Sequence, residues 1–169
     1  MSALSHILRT AVLSIAVTAF VGPLASAEEA KTPEVYGDWA VECRDAAAEK
    51  KLCVLTQTVM TADKKRRLLK LIMGQGEEGA FFTALVPLGV SIPAGVSATI
   101  DKNKALPLVL KTCLPQGCIA TTRLDEKLAK SIKSGEKLAI GFTMKPGAKP
   151  LAINGSLKGV KDGMRAVNL

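Results

Sequence analysis

The chain has 169 residues with 23 Lys and Arg against 15 Asp and Glu, a net +8 at pH 7. That length suits one domain around one core. Its single histidine is His6, so nothing beyond the first few residues can run Ser-His or Cys-His catalysis or build a His-containing zinc site.

The opening "MSALSHILRTAVLSIAVTAFVGPLASAEEA" reads as a secretory signal peptide over residues 1–27. Arg9 gives the positive start, residues 11–24 the apolar run, and Ala25-Ser26-Ala27 the small-x-small cleavage triplet. The apolar run is too short for a membrane span, which needs about 20 residues. Residues 28–34 form a polar leader, and residues 35–169 are expected to be the folded domain. Without the signal peptide Arg9 is lost, leaving 22 Lys and Arg against 15 Asp and Glu, a net +7.

"VYGDWAVEC" opens the domain as a strand, with Trp39, Val41 and Cys43 on one face. "LCVLTQTVMT" is a second strand, with Cys53, Leu55 and Val59 on one face, interrupted by Gln57. "ADKKRR" turns the chain. "RLLKLIMG" and "AFFTALVP" are the next strands, separated by "QGEEG". "VSIPAGVSATID" holds two short extended pieces around a Pro93-Ala94-Gly95 turn. "LPLVLKTC" and "CIATTRL" flank another tight turn. "LDEKLAKSIKSG" places Leu124, Leu128 and Ile132 at i, i+4 and i+8, with Asp125 and Glu126 at its start and Gly135 after it. That spacing predicts a short amphipathic helix. "KLAIGFTMK" and "LAINGSLKG" are the last strands; Asn154-Gly155 within the second is expected to form a bulge. The tail "VKDGMRAVNL" reads as a further helical turn. About nine short strands with Gly and Pro turns indicate an antiparallel β-sandwich with one short amphipathic helix.

Beyond the signal peptide four cysteines remain: Cys43, Cys53, Cys113 and Cys118. An exported chain meets an oxidising compartment, where disulfides persist. Cys43 and Cys53 are spaced too widely for half of a four-Cys zinc site, and the Cys-x-x-Cys of a redox switch is absent. Leu114-Pro115-Gln116-Gly117 has turn chemistry, which folds Cys113 opposite Cys118. Cys43 and Cys53 flank the polar loop "RDAAAEKKL" in the same way. Both pairs are therefore expected as hairpin staples, Cys43 with Cys53 and Cys113 with Cys118.

Other chemistry is thin. Gly-x-Ser-x-Gly is absent and no Gly-rich loop opens a helix, so neither hydrolase nor nucleotide chemistry is indicated, and no cofactor or metal is implied. Glu77-Glu78 reads as a solvated turn, and Trp39 beside Asp38 as core packing rather than a ligand platform. "LVPLGVSIPAGV" reads as a buried crossing between sheets. Lys64, Lys65, Arg66 and Arg67 gather at a predicted hairpin tip. Such a cluster is attracted to anionic surfaces such as lipopolysaccharide, peptidoglycan or lipid headgroups. Nucleic acid is disfavoured, because no aromatic platform stands beside the cluster.

"GDWAVEC", "CVLTQ", "VPLGVSIPAGV" running into Ile100-Asp101, "CLPQGC" and "SLKG" occur in this order from Gly37 to Gly159. Together they resemble the invasion-associated locus B family across nearly the whole domain. The resemblance implies an exported bacterial protein with an immunoglobulin-like β-sandwich, no established enzymatic activity and no catalytic residues. The family pattern has aromatics before the first Cys of "CLPQGC" and after "SLKG"; here Thr112 and Val160 stand there.

The expected function is a periplasmic or secreted, non-enzymatic binding module whose partner is an unknown protein or an anionic envelope component. The alternative is a small secreted inhibitor that offers a rigid loop to a hydrolase. Cleavage after Ala27 makes a direct prediction: protein from the periplasmic fraction should have the intact mass of a chain starting at Glu28. Full-length chain in the membrane pellet would overturn this localisation.

Overall fold

In the computed structural model, residues 33–45 and 51–169 are described. The predicted signal peptide and residues 28–32 of the leader lie outside them, as do residues 46–50. Alternating side chains build ten strands: β1 Glu34–Tyr36, β2 Trp39–Asp45, β3 Lys51–Met60, β4 Arg67–Gly76, β5 Gly79–Val86, β6 Val96–Ile100, β7 Leu106–Leu114, β8 Gly117–Arg123, β9 Lys137–Phe142 and β10 Leu151–Ser156. Two helices join them, α1 Glu126–Ser134 and α2 Val160–Ala166. All pairings are antiparallel, in the order β1-β2-β3-β4-β5-β8-β7-β6-β9-β10.

β7 is the corner between the two halves of this sheet. Its first residues, Leu106 to Leu108, pair with β6, whereas from Val109 onward it pairs with β8. The register shifts between Leu110 and Thr112, so Lys111 is the extra residue of a bulge that bends the strand. The two halves enclose a core built from Trp39, Leu55, Leu71, Met73 and Phe82 on one side and Ala98, Leu138 and Ile140 on the other.

One polar pair inside this apolar interior sets where the halves meet. Gln57 is only 5% exposed. Its Nε2 donates to the Ser156 carbonyl at 2.9 Å and to the Asp38 carbonyl at 3.3 Å. The Ser156 amide donates back to Gln57 Oε1 at 2.7 Å. Trp39 Nε1 donates to the same Ser156 carbonyl at 2.9 Å, with the indole itself 1% exposed. The polar residue that interrupts the apolar face of β3 therefore binds β10 as a neighbouring strand would. Trp39 is core, with its one polar atom satisfied.

The neighbouring glycine follows from the same approach. Asn154 and Gly155 sit in regular register opposite Ala139 and Leu138, so the expected bulge is absent. A Cβ on Gly155 would come within 2.7 Å of Leu71 Cδ1 and 3.0 Å of Gln57 Oε1. Glycine is required there by the closeness of the opposite layer, not by a turn.

Two other expectations are revised. Only the second extended piece of "VSIPAGVSATID" is a strand, β6; residues 87–95 are a crossing connection without strand pairing. That crossing is anchored by buried Val90 and Ser91, and the Ser91 amide donates to the Thr143 carbonyl at 2.7 Å. Leu88 and Ile92, however, face outward at 52% and 69% exposure. Glu77 and Glu78 form the tight turn between β4 and β5.

α1 is capped by Asp125, whose carboxylate accepts from the Leu128 amide at 2.7 Å, and it buries Leu128 and Ile132. The tail forms α2, which buries Val160 and Met164 and packs on β1 and β2. Val160, standing where the family pattern has an aromatic, is 2% exposed.

Replacing Gln57 with Ala should leave the Ser156 amide without its buried partner. Stability in urea should fall by about 2–4 kcal/mol, the cost of breaking a buried hydrogen-bonded network. Gln57→Leu, which fills the volume without hydrogen bonds, should recover little of it. Wild-type stability in Gln57→Ala would show that the clamp is dispensable.

Candidate functional site

Strand directions gather four connections at one end of the domain. β4 leaves the β3–β4 tip at Arg67, and β5 returns to that level, ending at Val86. Val86 pairs with Cys118, which puts the β7–β8 turn beside it. The crossing 87–95 starts there, and β6, where it ends, pairs Val96 with Phe142, so loop 143–150 lies alongside. Contacts tie the four together. Arg67 Nη2 donates to the Gln116 carbonyl, and the Gly117 backbone lies against the Val86 carbonyl and Leu85.

The tip itself is an ordered turn. The Thr61 amide donates to the Arg66 carbonyl and the Lys64 amide to the Thr61 carbonyl, both at 2.8 Å. Asp63 accepts from the Thr61 hydroxyl and from the Lys65 amide at 3.1 Å. The Thr61 hydroxyl first, and the Lys65 amide second, hold the Asp63 carboxyl below its ordinary value. Lys64 has φ of 56°, a left-handed conformation that Gly or Asn adopts with less strain. Lys64, Lys65, Arg66 and Arg67 are all exposed.

Cys113 and Cys118 face each other as a cross-strand pair and are joined, with Cα atoms 3.9 Å apart. Gly117, with φ of 139°, completes the turn between them. Cys43 and Cys53 are joined in the same way with Cα atoms 4.0 Å apart, at the opposite end of the domain. The staple across the β7–β8 turn thus underlies the carbonyl that Arg67 binds.

The pattern of the sequence missed the company this tip keeps. Segments 61–67, 87–95, 114–117 and 143–151 carry six cations, Lys64, Lys65, Arg66, Arg67, Lys145 and Lys149, and one carboxylate, Asp63. Among the described residues, four of the eight large exposed hydrophobics are also here, Leu88, Ile92, Leu114 and Leu151, and a fifth, Met60, ends β3 just before the tip. The signal in the sequence was the scarcity of acids in four separate connections, one carboxylate in all, which only the topology brings together.

Elsewhere the chemistry is sparse. An open cleft of about 650 Å³ lies between the β6–β7 connection and α1, with Ile100, Leu106 and Leu128 as apolar lining and Lys104, Arg123 and Lys127 beside them. Its one carboxylate, Asp125, is spent on the α1 cap. Among the described residues no three His, Cys, Asp or Glu side chains converge as a metal site. No helix among them is long and apolar enough to cross a membrane.

On the sheet face, by contrast, charge is neutralised. Lys70 Nζ lies 2.9 Å from both oxygens of Glu42, which also accepts from the Thr56 hydroxyl at 2.8 Å. Partial burial pushes the Glu42 carboxyl up, but the hydrogen bonds from Lys70 and Thr56 outweigh it, and the net shift is downward. A carboxyl depressed by folding stabilises the native state above its ordinary value of 4.5, and that contribution fades as pH falls through the lower folded value. Glu42→Gln should therefore lower stability by about 0.5–1 kcal/mol at pH 7, small because the pair is partly exposed. The difference from wild type should shrink below about pH 4; a pH-independent difference in urea titrations would refute the ionic account.

Comparison with known proteins gives this arrangement its kin. The sequence model of the family described as "Invasion associated locus B (IalB) protein" matches residues 39–168. An invasion protein B homolog of Brucella abortus (strain 2308) is 32% identical over 130 residues, covering 75% of this chain and 73% of that protein. Invasion protein B of Bartonella bacilliformis is 27% identical over 123 residues, covering 72% of this chain and 65% of that protein. The crystal structure of invasion associated protein B from Bartonella henselae superposes with a TM-score of 0.71 at 22% identity, over 81% of this chain and 95% of that one. That likeness shows the shared antiparallel β fold. The chain belongs to the invasion-associated locus B family.

Proposed function

We propose that this chain is an exported, non-enzymatic binding module that holds to an anionic envelope surface through its basic tip. The observation that carries this reading is the state of the charges at residues 61–67. Four cations are exposed there, and the one carboxylate among them, Asp63, is hydrogen-bonded into the turn. Lys70, three residues further along β4 from Arg67, is paired with Glu42; the tip cations have no such partner among the described residues. Lys64 keeps a cation at a position whose backbone favours Gly or Asn, and strain of this kind is characteristic of functional sites.

The non-enzymatic part of the reading rests on the residue inventory. The sole histidine is His6, no metal-ligand cluster is formed among the described residues, and the one carboxylate of the cleft beside α1, Asp125, is taken up by the helix cap. The relatives are named for invasion, and a module that grips a charged surface fits that setting.

Each basic side chain near an anionic surface contributes about 1 kcal/mol. Replacing Lys64, Lys65, Arg66 and Arg67 with Ser should therefore weaken binding to lipopolysaccharide or acidic vesicles by roughly several hundredfold at low salt. Wild-type binding should fall steeply as salt rises past about 0.1 M, where attraction is screened within about 10 Å. The melting temperature should change little, because the tip is solvated. Vesicle co-sedimentation checks this; low-salt binding undiminished by the fourfold replacement would reduce the tip to a turn.

A further inference from the structure

Resting on that reading, we propose that the same end seats on an anionic lipid bilayer by inserting the crossing loop, with Leu88 and Ile92 entering the boundary between headgroups and acyl chains. Charge alone would hold the module at the surface. The structure adds an apolar point to the charged ring. Leu88 is 52% exposed and Ile92 69% exposed, on a loop whose base is fixed by buried Val90 and by the Ser91 amide on the Thr143 carbonyl. Leu114 and Leu151, 45% and 49% exposed, end β7 and start β10 beside the two neighbouring connections. The loop is therefore a rigid projection of apolar side chains, and no ordering is needed before they are buried.

Charge complementarity selects the occupant. The four connections of this end carry six cations to one carboxylate. A second copy of the same end would bring like charges together. The opposite end is of mixed sign, with Glu77, Glu78, Glu126 and Glu136 among Lys102, Lys127 and Lys130. An apolar point inside a cationic ring matches a surface that is anionic outside and apolar within, and interfacial proteins pair these two signals because either alone binds weakly. Lys145 and Lys149, both exposed on loop 143–150, extend the ring. The inserted residues and the charged ones lie on different connections, so each can be changed without the other.

The test uses the exported protein with both disulfides formed and vesicles of phosphatidylcholine with or without phosphatidylglycerol. Leu88→Ser and Ile92→Ser together should weaken binding to the anionic vesicles roughly 100-fold, about tenfold for each side chain withdrawn from the apolar boundary. At about 0.5 M salt, where screening shortens to within a few ångströms, wild type should keep a residual affinity that this variant lacks. The basic-tip variant should show the reverse, losing the salt-sensitive part and keeping the residue. Amide exchange on the wild-type protein removes any doubt about the variants' folding: residues 88–95 should exchange more slowly on vesicles, while the Glu77-Glu78 turn should be unchanged. Wild-type affinity in the Leu88→Ser, Ile92→Ser protein, or no protection at 88–95 on saturating vesicles, overturns the insertion and leaves the electrostatic reading standing. Absence of any binding to anionic vesicles at low salt overturns both and leaves the apolar point to a protein partner.

Discussion

The fold depends on one amide side chain standing in for a missing strand. Gln57 is in the middle of β3, in the apolar interior, and exchanges two hydrogen bonds with the backbone of Ser156, 99 residues away. An uncompensated amide in such a place is costly, and a fully paired one is stronger than in water. The pairing is therefore close to all-or-none: β10 lies at one position against β3, or the polar groups of both are stranded. Trp39 shares the Ser156 carbonyl, so the largest core side chain is oriented by the same atom. From there the chain runs through Lys158, whose carbonyl accepts from the Asp38 amide at 3.1 Å, into α2, which covers β1 and β2.

The rigid body so formed divides its charge unevenly. On the sheet face Lys70 meets Glu42, and on α2 Arg165 meets Asp162 at 3.5 Å. At the end that carries the β3–β4 tip, cations accumulate around a single carboxylate, Asp63, which is tied into the turn. Self-repulsion there is opposed by geometry that is local and stiff: the Asp63 turn, the Arg67 contact to Gln116 and the disulfide beneath it. A surface that repels itself needs such a frame to keep its shape, because nothing in its own side chains holds it together.

Hairpins were legible because their causes are local. The turn chemistry of Leu114-Pro115-Gln116-Gly117 and the apolar alternation on either side specify β7 and β8 without reference to the rest of the chain. The α1 cap at Asp125 was legible for the same reason. Gln57 announced itself as an interruption, but its partner is far along the sequence and carries no local mark. Asn154-Gly155 looked like a bulge because the dipeptide usually bends a chain; its glycine answers instead to Leu71 in the other layer. The basic cluster was visible as a run of letters. The apolar residues beside it were not, since a crossing connection and two turns deliver them from three separate stretches.

The pairing of the cysteines has a bearing on how the protein is made. Cys43 joins Cys53 across 10 positions, and Cys113 joins Cys118 across 5. Each cysteine bonds to the next one in the chain. A polypeptide delivered N-terminus first into an oxidising space would expose the first pair together, long before the third cysteine emerges. The second pair would then appear with no free thiol left to compete. Correct bonding by order of arrival needs no reshuffling of wrong bridges, and both hairpins can be closed before Ser156 has appeared to meet Gln57.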